Sequence, residues 1–166
     1  MKILQISPQV PVPTIDGGKL SVSGVTKSLH KLGHHIAFVC YRKEADYELS
    51  SYQLSKFCEP FILNVQTGNS IFGALINLFS PIPYNASKYK QRELKSFLID
   101  DLAKNKMDII QVEHLHMGWI AEVLKKVSDV PVVLRSQNLE TSIMKRYTNA
   151  QKNIALKLFA WLQHKK

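Results

Sequence analysis

Apolar runs of strand length alternate along this chain with segments in which apolar residues recur at helical spacing. The runs are nearly continuous, which is typical of strands buried on both faces. Between the first two runs, helical spacing is kept until Gly33 ends the helix. The alternation predicts an α/β fold, a Rossmann-like three-layer sandwich around a mostly parallel sheet. Its strands are predicted at residues 2–7 (KILQIS), 34–41 (HHIAFVCY), 61–65 (FILNV), 108–113 (DIIQVE) and 130–135 (VPVVLR).

The other segments comprise two predicted helices, a polar stretch and an unusual apolar stretch. Helices are predicted at residues 87–106 and 119–127, and the polar residues 42–55 are expected to be irregular. Residues 70–79 (SIFGALINLF) have helical length but no charged face. Such a segment is either buried or forms an apolar lip beside a binding groove, and we expect burial.

Three loops follow the carboxyl ends of predicted strands, which is where ligands bind in parallel sheets. The first, residues 8–18 (PQVPVPTIDGG), contains three prolines that hold it extended and ends in Gly17 and Gly18 at the start of a helix. Glycines at a helix N-terminus let an anion such as phosphate approach the backbone N–H groups. The alternative is a turn that needs a positive φ at one glycine. Lys19 is expected to meet phosphate charge or to be solvated.

The second and third loops carry polar side chains suited to sugar hydroxyls or proton transfer. Glu113, His114 and His116 end the fourth strand, and a carboxylate beside imidazoles can bind hydroxyls or move protons. Their alternative is a loop of solvated or capping side chains, and a metal site is not predicted because the His-x-His pair lacks a third ligand. After the fifth strand come Gln137, Asn138 and Glu140, which can read hydroxyls; for Asn138 we favour helix capping, with Glu140 supporting it.

Composition indicates a single soluble domain over residues 1–166. Hydrophobic residues make up 45% and charged residues 21% of the chain, and no run approaches the roughly 20 apolar residues of a membrane span. No signal-peptide pattern begins the sequence. Two cysteines do not form a disulfide framework, and Cys40 is expected to be a buried thiol, which suits the cytoplasm.

The basic residues are concentrated near the end of the chain. The formal net charge is +9, and residues 141–166 contain six basic and no acidic side chains. Residues 143–162 carry an apolar stripe at helical spacing, which is expected to pack on the domain or, as the alternative, to lie on an anionic membrane. Nucleic acid is not an expected partner, because no stacking aromatic surface accompanies the lysines.

Four motifs occur in an order that resembles the N-terminal half of GT-B glycosyltransferases, particularly family 4 of the retaining enzymes. They are MKILQISPQVPVPTIDGG, LHKLGHHIAFV, MDIIQVEHLHMG and VPVVLRSQNLET, and LFSPIPYNASKYK resembles the connection that precedes the fourth strand. The resemblance implies an acceptor-side Rossmann-like domain facing a second domain, which grips a nucleotide-diphosphate sugar. It implies no tightly bound cofactor.

The resemblance also implies roles for individual residues. Gly17 and Gly18 match the family's loop that borders the donor diphosphate. Lys19, which follows them, is also expected to contact the donor. Acceptor contacts are expected from His116, whose loop matches one wall of the family's acceptor site, and, on their polar side chains alone, from Asn138 and Glu140. Catalytic roles are expected for Glu113, His114 and Gln137, although Gln137 stands where many relatives have histidine and an amide cannot accept the proton. Ser21 stands where relatives often have arginine.

The expected function is therefore that of half an enzyme. The chain lacks the C-terminal donor-binding domain of the family, so we expect a truncated domain that is inactive alone. The parent would be a cytoplasmic hexosyltransferase, with peripheral attachment to the inner face of the membrane as the alternative. Its product would be an envelope polysaccharide, a glycolipid or a similar glycan. Alternatives are half of a nucleotide-sugar 2-epimerase, or a non-catalytic binding module recruited to a membrane by its basic helix.

Overall fold

A computed structural model describes residues 1–42, 47–65 and 67–166 and contains one five-stranded parallel sheet. The strand order is β3-β2-β1-β4-β5, with every neighbouring pair parallel. The predicted Rossmann-like α/β class is confirmed. The strands are β1 (Lys2–Ser7), β2 (His35–Tyr41), β3 (Glu59–Leu63), β4 (Ile109–Glu113) and β5 (Val132–Arg135).

Eight helices connect and follow these strands within the described residues. A single 3-10 turn, Leu115–Met117, lies between β4 and the sixth helix. The helices are α1 (Gly17–Lys31), α2 (Tyr47–Ser55), α3 (Ile71–Asn77), α4 (Tyr84–Ser87), α5 (Arg92–Lys104), α6 (Gly118–Leu124), α7 (Glu140–Ala150) and α8 (Ile154–Lys165).

Apolar side chains cover both faces of the central strands, so helices must pack on each face. On one face, Leu4 and Ile110 belong to a core that includes Leu98 of α5 and Leu124 of α6. On the other, Phe38 packs in a core with Val22 of α1. Cys40 is buried in this second core as predicted, and burial raises the pKa of its thiol. Burial on both faces explains why the strands read as continuous apolar runs.

Several element boundaries differ from the sequence prediction, and the largest difference is in the helix expected at residues 87–106, which is α5 at Arg92–Lys104. The third strand begins at Glu59, not at residue 61, because β3 is an edge strand and such a strand tolerates Pro60. Of the polar residues expected to be irregular, 47–55 form α2, whereas residues 43–46 lie outside the described part of the chain.

The expected burial of residues 70–79 is wrong. Residues 71–77 form α3, but its large apolar side chains point to solvent, with Phe72 74% and Ile71 84% exposed. The buried residue of this helix is Asn77, whose side-chain amide donates hydrogen bonds to the carbonyl of Ile82 and to Ser87 Oγ. Those polar contacts fix which face of α3 turns inward.

The single apolar stripe expected over residues 143–162 is also wrong, because the segment is two helices. Gln151 is extended, and Asn153 caps α8 by accepting a hydrogen bond from the backbone N–H of Leu156. Helix α8 packs on α4 through Phe159, whose ring meets Tyr84 edge-on. The stripe residues are exposed, among them Ile143, Tyr147, Ile154, Leu158 and Trp161.

A buried tyrosine offers a test of the packing between sheet and loop. The hydroxyl of Tyr41 donates a 2.7 Å hydrogen bond to the carbonyl of Tyr89. We predict that Tyr41→Phe lowers the free energy of unfolding by about 1–3 kcal/mol, because a buried acceptor loses its donor. Urea denaturation measures this, with Tyr52→Phe as the matched control on an exposed tyrosine, expected to change stability by less than about 0.5 kcal/mol. Equal effects of the two substitutions would contradict the prediction.

Candidate functional site

The candidate site lies at the carboxyl ends of β1, β4 and β5. In the observed strand order the chain leaves β1 toward β2 on one side and returns as β4 on the other, which creates a crevice at that point. The start of α1 borders this crevice. A methyl group at Gly18 would lie 3.6 Å from Cε1 of His114 and 3.7 Å from Oε1 of Gln137. Residues of all three predicted loops thus meet at one place.

Helix α1 begins at the two glycines with its first turn directed into this crevice. Asp16 is the N-cap residue, and its Oδ1 accepts a 2.8 Å hydrogen bond from the backbone N–H of Lys19. Neither Gly17 nor Gly18 has a positive φ, so the alternative of a turn that needs one is wrong. A Cβ at Gly17 would meet no atom within 4 Å. Packing within the described residues therefore does not require glycine at position 17.

Of the two alternatives for Lys19, contact with phosphate charge or solvation, the structure contradicts solvation. Its side chain is only 3% exposed, although it stands in the first turn of a surface helix. The residue is therefore enclosed by the fold.

A buried carboxylate, Glu113, organises the floor of the crevice. Its Oε1 accepts from Nε2 of Gln5 at 2.8 Å and from Nε2 of Gln111 at 2.6 Å. Its Oε2 accepts from Nε2 of Gln137 at 3.1 Å. Arg135 completes the set, with Nε 2.9 Å and Nη2 2.9 Å from the same Oε2.

This geometry suits Glu113 to hold the side chains around it in position. The side chain is fully buried, and donors occupy the lone pairs with which it would take up a proton or bind a hydroxyl. The predicted proton-transfer role of Glu113 does not fit such an environment. The group instead fixes the side chain of Gln137, which does border the crevice.

The same network attaches α1 to the sheet. Gln5 accepts a 2.8 Å hydrogen bond from Thr26 Oγ1, and Arg135 Nη1 donates to Ser21 Oγ at 3.0 Å. Ser21, noted above as a departure from the resembling family, is thus the α1 partner of the arginine that holds Glu113. The position of the glycine turn relative to β4 and β5 follows from these contacts.

His114 combines three unusual features at the crevice. Its backbone has φ 68° and ψ 140°, a region that costs a non-glycine residue of order 1–3 kcal/mol. Its side chain is buried, and burial lowers the pKa of the imidazole, which favours the neutral form. Its Nε2 is buried and has no hydrogen-bond partner among the described residues. Strain and an unsatisfied polar atom together are typical of a ligand site.

His116 and Glu140 line a cavity next to the crevice. The ring of His116 stacks between His114, at a centroid distance of 5.2 Å, and Tyr89, at 4.6 Å. Burial raises the pKa of Glu140. The cavity has a volume of about 330 Å³, and its other lining residues include Pro83, Asn85, Leu115, Met144 and His164.

Asn138 is not brought to this cavity, and its expected capping role is wrong. The N-cap residue of α7 is Leu139, which makes no side-chain capping bond. Ser136 instead closes a turn, because its hydroxyl donates to the carbonyl of Asn138. The side chain of Asn138 is exposed.

The part of the chain that the structure describes contains no candidate metal site. Among residues 1–42, 47–65 and 67–166, no three His, Cys, Asp or Glu side chains are grouped so as to hold a metal ion.

The sequence interpretation missed Gln5, Gln111 and Arg135, which surround Glu113. Their signal was a polar residue inside or at the end of an otherwise apolar strand.

Comparisons with known proteins identify the fold and not the family. No family model and no curated protein matches the sequence. Among solved structures, the C-terminal domain of a hydrogenase from Pyrococcus furiosus matches with a TM-score of 0.54 and 18% identity, over 80% of this chain and 89% of that one. A second structure of that domain gives a TM-score of 0.50 and 14% identity, over 81% and 90% of the two chains. At this identity the likeness establishes a shared α/β fold.

The Glu113 network predicts an asymmetry between a buried and an exposed carboxylate contact. We predict that Glu113→Gln lowers the free energy of unfolding by roughly 3 kcal/mol, because it leaves Arg135 without its buried counter-charge. The matched control is Glu59→Gln, which removes the pair between Glu59 and His35 at the surface and should cost no more than about 1 kcal/mol. Urea unfolding of both variants at pH 7 decides the matter, and a cost at Glu113 no larger than at Glu59 would count against the network.

The lowered pKa of His114 predicts a dependence of stability on pH. Below the ordinary histidine value near 6.5 the unfolded chain binds a proton before the folded chain does, so stability falls as pH falls toward the folded-state pKa. Urea unfolding at several pH values on either side of that ordinary value should show this loss. In His114→Asn the loss should be smaller, since asparagine tolerates positive φ and does not titrate. The exposed His30→Asn is the control and should keep the wild-type pH profile; identical profiles for all three proteins would refute this origin.

Proposed function

We propose that this chain is the acceptor-side domain of a retaining GT-B glycosyltransferase, which transfers a sugar from a nucleotide-diphosphate donor to a glycan or glycolipid. The observation that carries the proposal is the meeting of the Gly17 and Gly18 turn with His114 at the crevice. The ordered sequence motifs described above and the Rossmann-like fold support it.

The glycine turn is suited to the donor diphosphate. Backbone N–H groups in the first turn of a helix have no partner in that helix, and the helix dipole favours an anion there. The space around Gly17 lets phosphate oxygens approach the main chain. Donors placed where charge develops on the leaving diphosphate would lower the barrier to transfer.

His114 is the group proposed to contact the reacting sugar or its phosphate. The unpartnered Nε2 is bonded to Cε1, the atom that lies against Gly18. A neutral imidazole can donate or accept one hydrogen bond at this nitrogen. The strained backbone at His114 is consistent with a side chain held in place for ligand contact.

The cavity beside His116 and Glu140 is the proposed acceptor site. Its volume of about 330 Å³ is at the lower end of the range for small-molecule sites and suits a sugar residue. A carboxylate and an imidazole can bind sugar hydroxyls, and Leu115 and Met144 can cover the apolar face of the ring. Glu113 takes no part in the reaction and supports the wall between the two subsites.

A direct ligand titration tests the donor half of this proposal. Uridine diphosphate and guanosine diphosphate would be titrated into ¹⁵N-labelled chain, with uridine alone as the control. We expect the diphosphates to shift the amide signals of Gly17 and Gly18 and the side-chain signals of His114. Shifts confined to other parts of the molecule would contradict the proposal.

A substitution at Gly17 tests function without disturbing packing. In the complete polypeptide encoded by the gene, Gly17→Val should lower sugar transfer by about 10²–10³-fold, because the side chain blocks approach to the backbone donors. Thermal unfolding should be nearly unchanged, since the added group enters open space. Gly24→Val, on the same helix and also in open space, is the matched control and should keep activity.

The products separate the proposal from its rivals. Incubation with donor and no acceptor would give an epimerised nucleotide sugar if the chain were part of a 2-epimerase.

For the Gly17→Val variant, sugar transfer at the wild-type rate would show that the glycine turn does not contact the diphosphate.

A further inference from the structure

The net positive charge of the chain comes from two segments that are far apart in sequence. Residues 67–92 and 141–166 contain nine lysines and arginines and no aspartate or glutamate. The rest of the chain has 13 basic and 13 acidic residues, so the whole formal charge of +9 belongs to these segments. The nine are Lys88, Lys90, Arg92, Lys145, Arg146, Lys152, Lys157, Lys165 and Lys166, all exposed except the half-buried Lys88.

The two segments fold against each other and form one continuous surface. The backbone N–H of Tyr84 donates a 2.7 Å hydrogen bond to Gln163 Oε1 of α8. Lys166 Nζ donates to the backbone carbonyls of Asn77 and Leu78 at the end of α3. We call the exposed side of residues 67–92 and 141–166 the acid-free surface.

Helix α3 gives this surface an apolar ridge that the fold holds outward. The inward orientation of Asn77, described above, leaves the opposite face of α3 in solvent. Tyr84 secures the start of the helix, because its hydroxyl accepts from the backbone N–H of Ser70 at 2.7 Å and donates to the carbonyl of Ser70 at 3.1 Å. The ridge consists of Ile71, Phe72, Leu75 and Ile76 of α3 together with Phe79, which follows the end of the helix and is 93% exposed.

Apolar residues of α7 and α8 continue the ridge. Between α3 and these helices lies a groove of about 470 Å³, lined by Ile71, Tyr84, Ile143, Leu156 and Phe159 among others. Ile154 and Leu158 are exposed on α8, close in sequence to Lys152 and Lys157. Exposed apolar side chains and lysines are therefore interspersed over the acid-free surface.

We propose that the acid-free surface binds the face of an anionic lipid bilayer. The ridge of α3 would enter the boundary between headgroups and acyl chains while the surrounding lysines and arginines contact the negative headgroups. Apolar insertion and attraction to anionic lipid act together in interfacial binding, and neither alone suffices for a stable contact. The contact is peripheral, because no helix in the described part of the chain is long and apolar enough to cross a membrane.

The composition of the surface favours a bilayer over other occupants. Nucleic acid would satisfy the lysines and could stack bases on Phe72 and Phe79, but it would leave the aliphatic side chains of Ile71, Leu75 and Ile76 in water. A second copy of the chain would place two positive surfaces face to face, which is unfavourable. A bilayer with anionic headgroups offers both an apolar interior and negative charge. This inference does not depend on the chemistry proposed for the crevice.

Vesicle co-sedimentation of the 166-residue chain tests the proposal. We expect binding to vesicles of phosphatidylglycerol and phosphatidylcholine to be at least tenfold tighter than to phosphatidylcholine alone, and to weaken as salt rises. The double variant Phe72→Ser with Phe79→Ser should bind the mixed vesicles at least tenfold more weakly. Circular dichroism should show an unchanged fold, since both side chains are exposed.

Two further variants separate the contributions. Leu32→Ser with Leu49→Ser removes exposed apolar side chains outside the acid-free surface and should leave vesicle binding unchanged. Lys90→Glu with Lys157→Glu should weaken binding at low salt. Wild-type binding by the phenylalanine variant would overturn the proposal in favour of charge adsorption alone. It would also be overturned by equal binding to neutral vesicles, or by self-association that the phenylalanine variant abolishes without any vesicle binding.

Discussion

The fold around the crevice depends on the burial of one negative charge. Removing a carboxylate from water costs several kcal/mol, and Glu113 recovers this through donors on β1, β4, β5 and the loop that follows β5. Because Arg135 and Gln5 also contact α1, the strand ends and the glycine turn form one connected unit. The open space at Gly17 and the strained His114 are held relative to each other by this unit. The floor of the proposed site is therefore connected by hydrogen bonds where its ligands are expected.

The architecture was predictable because it rests on local patterns. Continuous apolar runs identify strands buried on both faces, and helical spacing between them indicates parallel connections. The glycine turn, Glu113 and Gln137 were located correctly at one edge of the sheet by the same reasoning. The pattern could not predict which of these side chains faces the crevice and which is buried beneath it. Whether a carboxylate faces a ligand or lies beneath it depends on contacts from Gln5 and Arg135, which are distant in sequence.

The errors have different physical causes, since the first comes from contacts that overrode a general rule of burial and the second from a local capping signal. Residues 70–79 were expected to be buried because apolar side chains usually are. The side chain of Asn77 instead donates hydrogen bonds to Ile82 and Ser87, so the polar face of α3 lies inward. The stripe over residues 143–162 has helical spacing throughout, but Asn153 starts a new helix within it. A capping residue at that position was visible in the sequence and could have located the break. The positive φ of His114 had no local signal.

The orientation of one side-chain amide has a consequence for selectivity. The side-chain NH₂ group of Gln137 donates its hydrogen bond to Glu113, so the atom that lies toward Gly18 is the carbonyl oxygen Oε1. An oxygen of this kind repels phosphate and attracts groups that carry a hydrogen. In the proposed site, the main-chain donors at Gly17 would therefore attract negative oxygens, whereas the amide acceptor beside Gly18 would attract a hydroxyl. A molecule that carries negative oxygens at one end and a hydroxyl at the other would fit in only one direction.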